Sequence, residues 1–140
     1  MDTKQSRGFF APRISADTAD FWRGCAEHKL LIQRCKSCGK LRWPAGHFCD
    51  SCLGEDTELC EMSGRGTVYA WEVFHKPFHP SLEDKVPYIV AEIDLEEGVR
   101  ILSNLEGCEP SEVRCGSAVE LVWRDCEDYT SPVFVLKKAE

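Results

Sequence analysis

The stretch Cys35-Lys-Ser-Cys38-Gly-Lys-Leu-Arg-Trp-Pro-Ala-Gly-His-Phe-Cys49-Asp-Ser-Cys52 holds two Cys-x-x-Cys pairs with ten residues between them. One pair lets two sulfurs reach a single ion from one tight turn, and two such pairs supply the four thiolates of a closed tetrahedral zinc site. Gly39 follows the second sulfur of the first pair, where the turn calls for positive φ; Gly54 comes one residue later in the second. Cys35, Cys38, Cys49 and Cys52 are therefore the expected metal ligands. The competing reading takes the pairs as unrelated, redox-active or disulfide-linked.

The flanking segments support the metal reading. Leu30 to Arg34 reads as a strand entering the first knuckle, and Lys40 to Trp43 leaves it. Pro44-Ala-Gly46 turns the chain toward the second. This is the hairpin plan of a zinc ribbon, a module with almost no core of its own whose folding depends on the metal. His47 precedes Cys49 by two residues, but four sulfurs already close the site, so it is expected at the surface or beside a ligand.

Nine cysteines, an odd number, in a chain of 140 residues fit metal binding better than a disulfide framework. Cys25, Cys60, Cys108, Cys115 and Cys126 read as small buried hydrophobes or free thiols. The first seven residues lack the apolar core of a secretion signal, and no apolar run approaches the ~20 residues of a membrane span. A soluble, cytoplasmic protein is the expectation. The net charge of −7 argues against nucleic acid as a partner.

Ahead of the ribbon, residues 1–14 read as irregular, with Pro12 blocking regular structure. Ser15, Asp17 or Thr18 is placed to cap a helix whose Phe21, Trp22 and Cys25 share one face. Gly24 weakens its middle. Two readings stand for this segment: a helix lying on the rest of the chain, or a docking helix for another protein. Beyond the ribbon, strands are expected at Thr57–Glu61, Thr67–Phe74, Pro87–Leu95, Val99–Leu105, Ala118–Arg124 and Val133–Lys137. Ser63-Gly-Arg-Gly66 is a bend without the spacing of a phosphate loop. Asp125–Pro132 reads as an acidic loop. The last five strands, with a break between the third and fourth, match a small Greek-key barrel of the OB type. The fold class is thus mainly β, divided as 1–29 tail and helix, 30–61 zinc ribbon and 62–140 OB-fold.

With that order of parts, the chain resembles the acyl-CoA-associated family that joins a rubredoxin-like zinc ribbon to an OB-fold. The likeness is carried by Phe21-Trp22, Leu30-Leu-Ile-Gln-Arg-Cys35-Lys-Ser-Cys38-Gly39, Pro44 and Cys49-Asp-Ser-Cys52. It continues through Ser63-Gly-Arg-Gly-Thr-Val68, Pro87-Tyr88, Leu95-Glu-Glu-Gly98 and Gly116 with Val119. The resemblance implies a non-catalytic subunit of a thiolase-type enzyme acting on acyl-CoA thioesters. Other members accompany acyl-CoA hydratases or dehydrogenases, or the machinery of sterol side-chain degradation. Such a subunit helps enclose the CoA or acyl group and holds its partner in active form. This chain departs from the common pattern at His47, where an Arg is expected.

CoA contact requires cations for phosphates and an aromatic slot for adenine. Arg65, Lys76 and Arg100 are the candidate cations, with Phe78, Phe74 and Tyr88 as walls. No catalytic residue is assigned. His28, His47, His75 and His79 sit beside no nucleophile motif, and a zinc with four thiolates has no open position. Two other functions are weighed: a zinc-ribbon/OB-fold nucleic-acid module, opposed by the acidic charge, and an autonomous acyl-CoA hydrolase or binding protein, opposed by the lack of an activated nucleophile.

Overall fold

The structure is a computed structural model and describes residues 11–137. The sequence reading of residues 1–10 lies outside that range. Helix α1 spans Ala19–Ala26. The strands are β1 Leu31–Cys35, β2 Leu41–Arg42, β3 Thr57–Glu61, β4 Arg65–Phe74, β5 Tyr88–Leu95, β6 Arg100–Leu105, β7 Ala118–Asp125 and β8 Thr130–Leu136. Strands β2, β1 and β3 form an antiparallel sheet in that order, and β4-β5-β6-β8-β7 close into a barrel.

The barrel closes because alternation puts one face of every strand inward. In β5, Ile89, Ala91, Ile93 and Leu95 are all buried, as the period-2 pattern requires. Phe134 of β8 is wholly buried, and its register partner across the parallel β6–β8 seam is Leu105. A bulge between Val68 and Ala70 in β4 shifts the register there; Tyr69 is exposed, and Arg100 lies over its ring at 3.4 Å. Leu30 and Ile32 of the ribbon, with Met62 just beyond β3, belong to the same buried cluster as the barrel residues. The metal-binding sheet is thus rooted in the barrel's core.

Two local expectations are corrected. The fifth barrel strand begins at Thr130, not Val133, and the acidic loop shrinks to Cys126–Tyr129, closed by Cys126 N–H donating to the Tyr129 carbonyl at 2.8 Å. Pro132 is tolerated within the strand because its carbonyl accepts from Ser103 Oγ on the β6 side. The N–H it lacks would face that same side, away from the β7 ladder. At the helix start, no side chain caps α1. Thr18 is the N-cap residue but has near-helical backbone angles, and its hydroxyl accepts the Ser15 N–H at 2.9 Å instead.

Helix α1 ends in a Schellman turn. Lys29 N–H donates to Gly24 O and His28 N–H to Cys25 O, with His28 at φ 60°. Its aromatic pair is engaged within the chain. Phe21 packs edge-on to Trp43 of the ribbon at 6.5 Å, and Trp22 meets Tyr129 of the barrel at 6.2 Å. The helix lies on the rest of the protein as a strut between its two β modules.

Candidate metal centre and nucleotide contacts

The two knuckles are built alike. Gly39 N–H donates to Cys35 O at 2.8 Å, and Leu53 N–H to Cys49 O at 2.9 Å. Gly39 takes φ 82°, as its position predicts. In the second knuckle the same conformation falls on Leu53, at φ 63°, rather than on a glycine. Gly54 serves a different need: a Cβ there would come within 3.1 Å of Ser37 Oγ and 3.3 Å of Cys52 Sγ.

These turns bring Cys35, Cys38, Cys49 and Cys52 together, with all four sulfurs within 4.8 Å of one another. The Cys35–Cys52 and Cys38–Cys49 separations are both 3.6 Å. That is far beyond a disulfide bond. It is close to the ~3.8 Å edge that Zn–S bonds of about 2.3 Å give a tetrahedron. At this spacing the four thiols oppose one another's ionisation. The Cys38 amide, first among several groups, pulls Cys35 down to about 6. Cys52 is held up at about 11: the Gly54 amide lowers it, and the neighbouring sulfurs, Cys35 first, outweigh that pull. A dication resolves this repulsion. The donor set and spacing therefore fit zinc. Held by four sulfurs, the ion has no position for water or substrate and serves to fix the knuckles.

Neighbouring side chains hold the ligand loops. Lys40 Nζ bonds Asp50 Oδ1 at 2.8 Å, linking one knuckle to the other. Arg42 was not singled out by its sequence context, yet it ties the connecting loop together. Its guanidinium donates to Gln33 Oε1 at 3.0 Å, to Gly46 O at 2.8 Å and to Phe48 O. His47 is exposed and pairs with Glu55 at 3.1 Å, outside the ligand set.

The four candidate CoA contacts fall into two groups. Arg65 and Arg100 sit where β4 begins and the β5–β6 hairpin turns, each paired with a carboxylate, Glu96 at 2.6 Å and Asp94 at 2.6 Å. Lys76 and Phe78 lie past the other end of β4, about 30 Å of strand away. There Lys76 Nζ stands 5.3 Å from the Phe78 ring centroid, Phe78 is 67% exposed, and Phe74 stacks on Tyr88 at 5.2 Å. A cavity of about 360 Å³ opens beside this cluster, lined by Lys85, Tyr88, Ile89, Leu105, Cys108 and Arg124 among others. The four residues do not converge on one site.

The histidines assemble no catalytic group among the described residues. His79 Nδ1 lies 2.8 Å from Ser81 Oγ, but it also accepts the Ser81 N–H, as the cap of a 3-10 turn over Pro80–Leu82, and Ser81 is buried. His28 stacks on Trp123 and bonds Asp125 at 2.8 Å, fastening the helix end to β7. No helix among the described residues is long and apolar enough to cross a membrane.

Residues 22–58 match the family profile described as the ChsH2 rubredoxin-like zinc ribbon domain, and residues 60–124 match that of the ChsH2 C-terminal OB-fold domain. A benzoylsuccinyl-CoA thiolase subunit, BbsA, of Thauera aromatica is 42% identical over 113 residues, covering 81% of this chain and 73% of that protein. A DUF35 domain-containing scaffold protein of Methanocaldococcus jannaschii is 38% identical over 105 residues, 74% of each chain. A probable enoyl-CoA hydratase alpha subunit of Thermomonospora curvata is 39% identical over 124 residues, but the match spans only 38% of that longer protein. Among solved structures, one described as an Ltp2-ChsH2(DUF35) aldolase superposes with a TM-score of 0.81 at 38% identity, over 90% of this chain and 98% of that one. The chain belongs to the ChsH2 family, in which a rubredoxin-like zinc ribbon is joined to a C-terminal OB-fold.

Proposed function

We propose that this protein is a non-catalytic, zinc-holding accessory subunit of a thiolase-type enzyme that makes or breaks carbon–carbon bonds of acyl-CoA thioesters. The observation that carries this reading is the closed four-sulfur centre: the one metal site among the described residues leaves no ligand position for chemistry. The thiolase subunit and scaffold protein among its relatives supply the class of partner. The rigid ribbon, strutted to the barrel by α1, presents Phe48 and Leu53 at its exposed tip as an apolar contact for that partner. Contact with the CoA of a bound thioester falls to the Lys76–Phe78 end, where a cation lies beside the exposed Phe78 ring. The similarity to a hydratase alpha subunit favours a second reading, in which the partner is an acyl-CoA hydratase.

Purification of the tagged chain from its native host, followed by mass spectrometry of what stays bound, tests the proposal. A thiolase-like protein in fixed ratio is the expected result. A hydratase in its place selects the second reading, and a chain that elutes alone with no bound enzyme contradicts both.

A further inference from the structure

The four cysteines differ in exposure. Each knuckle holds one buried residue, Cys35 or Cys49, and one exposed residue, Cys38 or Cys52. Two 3.6 Å contacts run between the knuckles, and each joins an exposed residue to a buried one: Cys38 to Cys49, and Cys52 to Cys35. The pairs are nested in sequence, the 38–49 loop inside the 35–52 loop, so both can close in one molecule.

We propose that the cluster is a peroxide-oxidation site that closes two cross-knuckle disulfides, Cys35–Cys52 and Cys38–Cys49, in place of the metal. Hydrogen peroxide meets the exposed Cys38 or Cys52 first. A sulfur–oxygen bond forms, the O–O bond breaks and hydroxide leaves, giving a sulfenic acid. The facing thiolate of the opposite knuckle, 3.6 Å away, then attacks that sulfur. The S–S bond forms, the S–O bond breaks and a second hydroxide departs. Two thiolates have given up two electrons, and the peroxide has taken them. Loss of two ligands frees the ion, and the second pair closes in the same way. The product ties together the same two turns that the metal ties. The arm thereby keeps its shape when oxidised, because cross-knuckle bonds constrain the unfolded chain where bonds within one Cys-x-x-Cys would leave the knuckles untethered. This inference holds whichever enzyme the chain accompanies.

The test treats the zinc-loaded full chain with hydrogen peroxide, follows zinc release with a chelating dye, traps remaining thiols at low pH and maps disulfides by mass spectrometry. Trypsin separates Cys35 from Cys38 after Lys36, and cleavage before Asp50 separates Cys49 from Cys52. Exposed Cys115, outside the cluster, reports general thiol oxidation. The expected result is stoichiometric zinc release with Cys35–Cys52 and Cys38–Cys49 as the major linkages. The oxidised, metal-free chain should keep a cooperative thermal transition that dithiothreitol plus chelator removes. Within-knuckle pairs, sulfinic acids without disulfides, or zinc retained while Cys115 is oxidised would overturn the proposal.

Discussion

Leu53 and Gly39 stand at equivalent places in the two knuckles and share a left-handed backbone, φ 63° and 82°. Glycine adopts this region without strain, whereas a side chain costs about 1 kcal/mol or more. Leu53 is 74% exposed and so recovers little of that by burial. Leu53→Gly should therefore raise the stability of the zinc-loaded protein by about 1 kcal/mol in urea denaturation. If Leu53 serves partner docking, the same variant weakens association while it stabilises the chain. Gly39 was legible because Cys-x-x-Cys-Gly is a local turn. The strain at Leu53 was not, because nothing local announces that a leucine must fill the same role. Asp125 is a second such residue. Its hydrogen bond from His28, then that from Thr130, holds its carboxyl below the ordinary value. A carboxyl depressed in the folded state stabilises folding above its unfolded pKa of about 3.9 and loses that contribution as pH falls through the folded value. Denaturation midpoints of Asp125→Asn and the parent should thus differ at pH 6 and converge toward pH 3. A constant difference across that range would show that the interaction owes nothing to the charge.

At the scale of elements, the barrel strands were legible where alternation was strict, as in Ile89, Ala91, Ile93 and Leu95. The early start of β8 was hidden by Pro132 and a run of acidic residues, which read locally as a loop. Only the neighbouring strands show that the missing N–H faces the β6 side. Helix α1 teaches the same lesson. Gly24 looks like a mild defect by propensity, and Gly24→Ala would ordinarily favour a helix by about 1 kcal/mol. In this packing an added Cβ would lie 2.8 Å from Leu31 side-chain atoms and 2.9 Å from the Lys29 carbonyl. The carbonyl belongs to the turn that ends the helix and has little room to yield. Gly24→Ala should therefore destabilise the protein by a net ~1–2 kcal/mol. Equilibrium unfolding checks the sign, and a gain in stability would mean that α1 can shift off β1. The four clustered cysteines needed no tertiary information, since spacing alone singled them out. The candidate CoA residues did. Composition cannot tell that Arg65 and Arg100 sit at one end of β4 and Lys76 and Phe78 past the other.

For the whole molecule, the ribbon shares its buried residues with the barrel, α1 bridges the two through Trp43 and Tyr129, and the metal centre is closed. Such an arrangement is suited to holding a shape. We propose that the chemistry belongs to a partner enzyme. CoA-dependent cleavage of a β-ketoacyl-CoA, measured for the purified zinc-loaded chain alone and for the complex purified from its host, tests that claim most directly. The expected result is no turnover above background by the chain alone, and turnover by the complex that ends when the partner's nucleophile is alkylated. Sustained turnover by the isolated chain would contradict it.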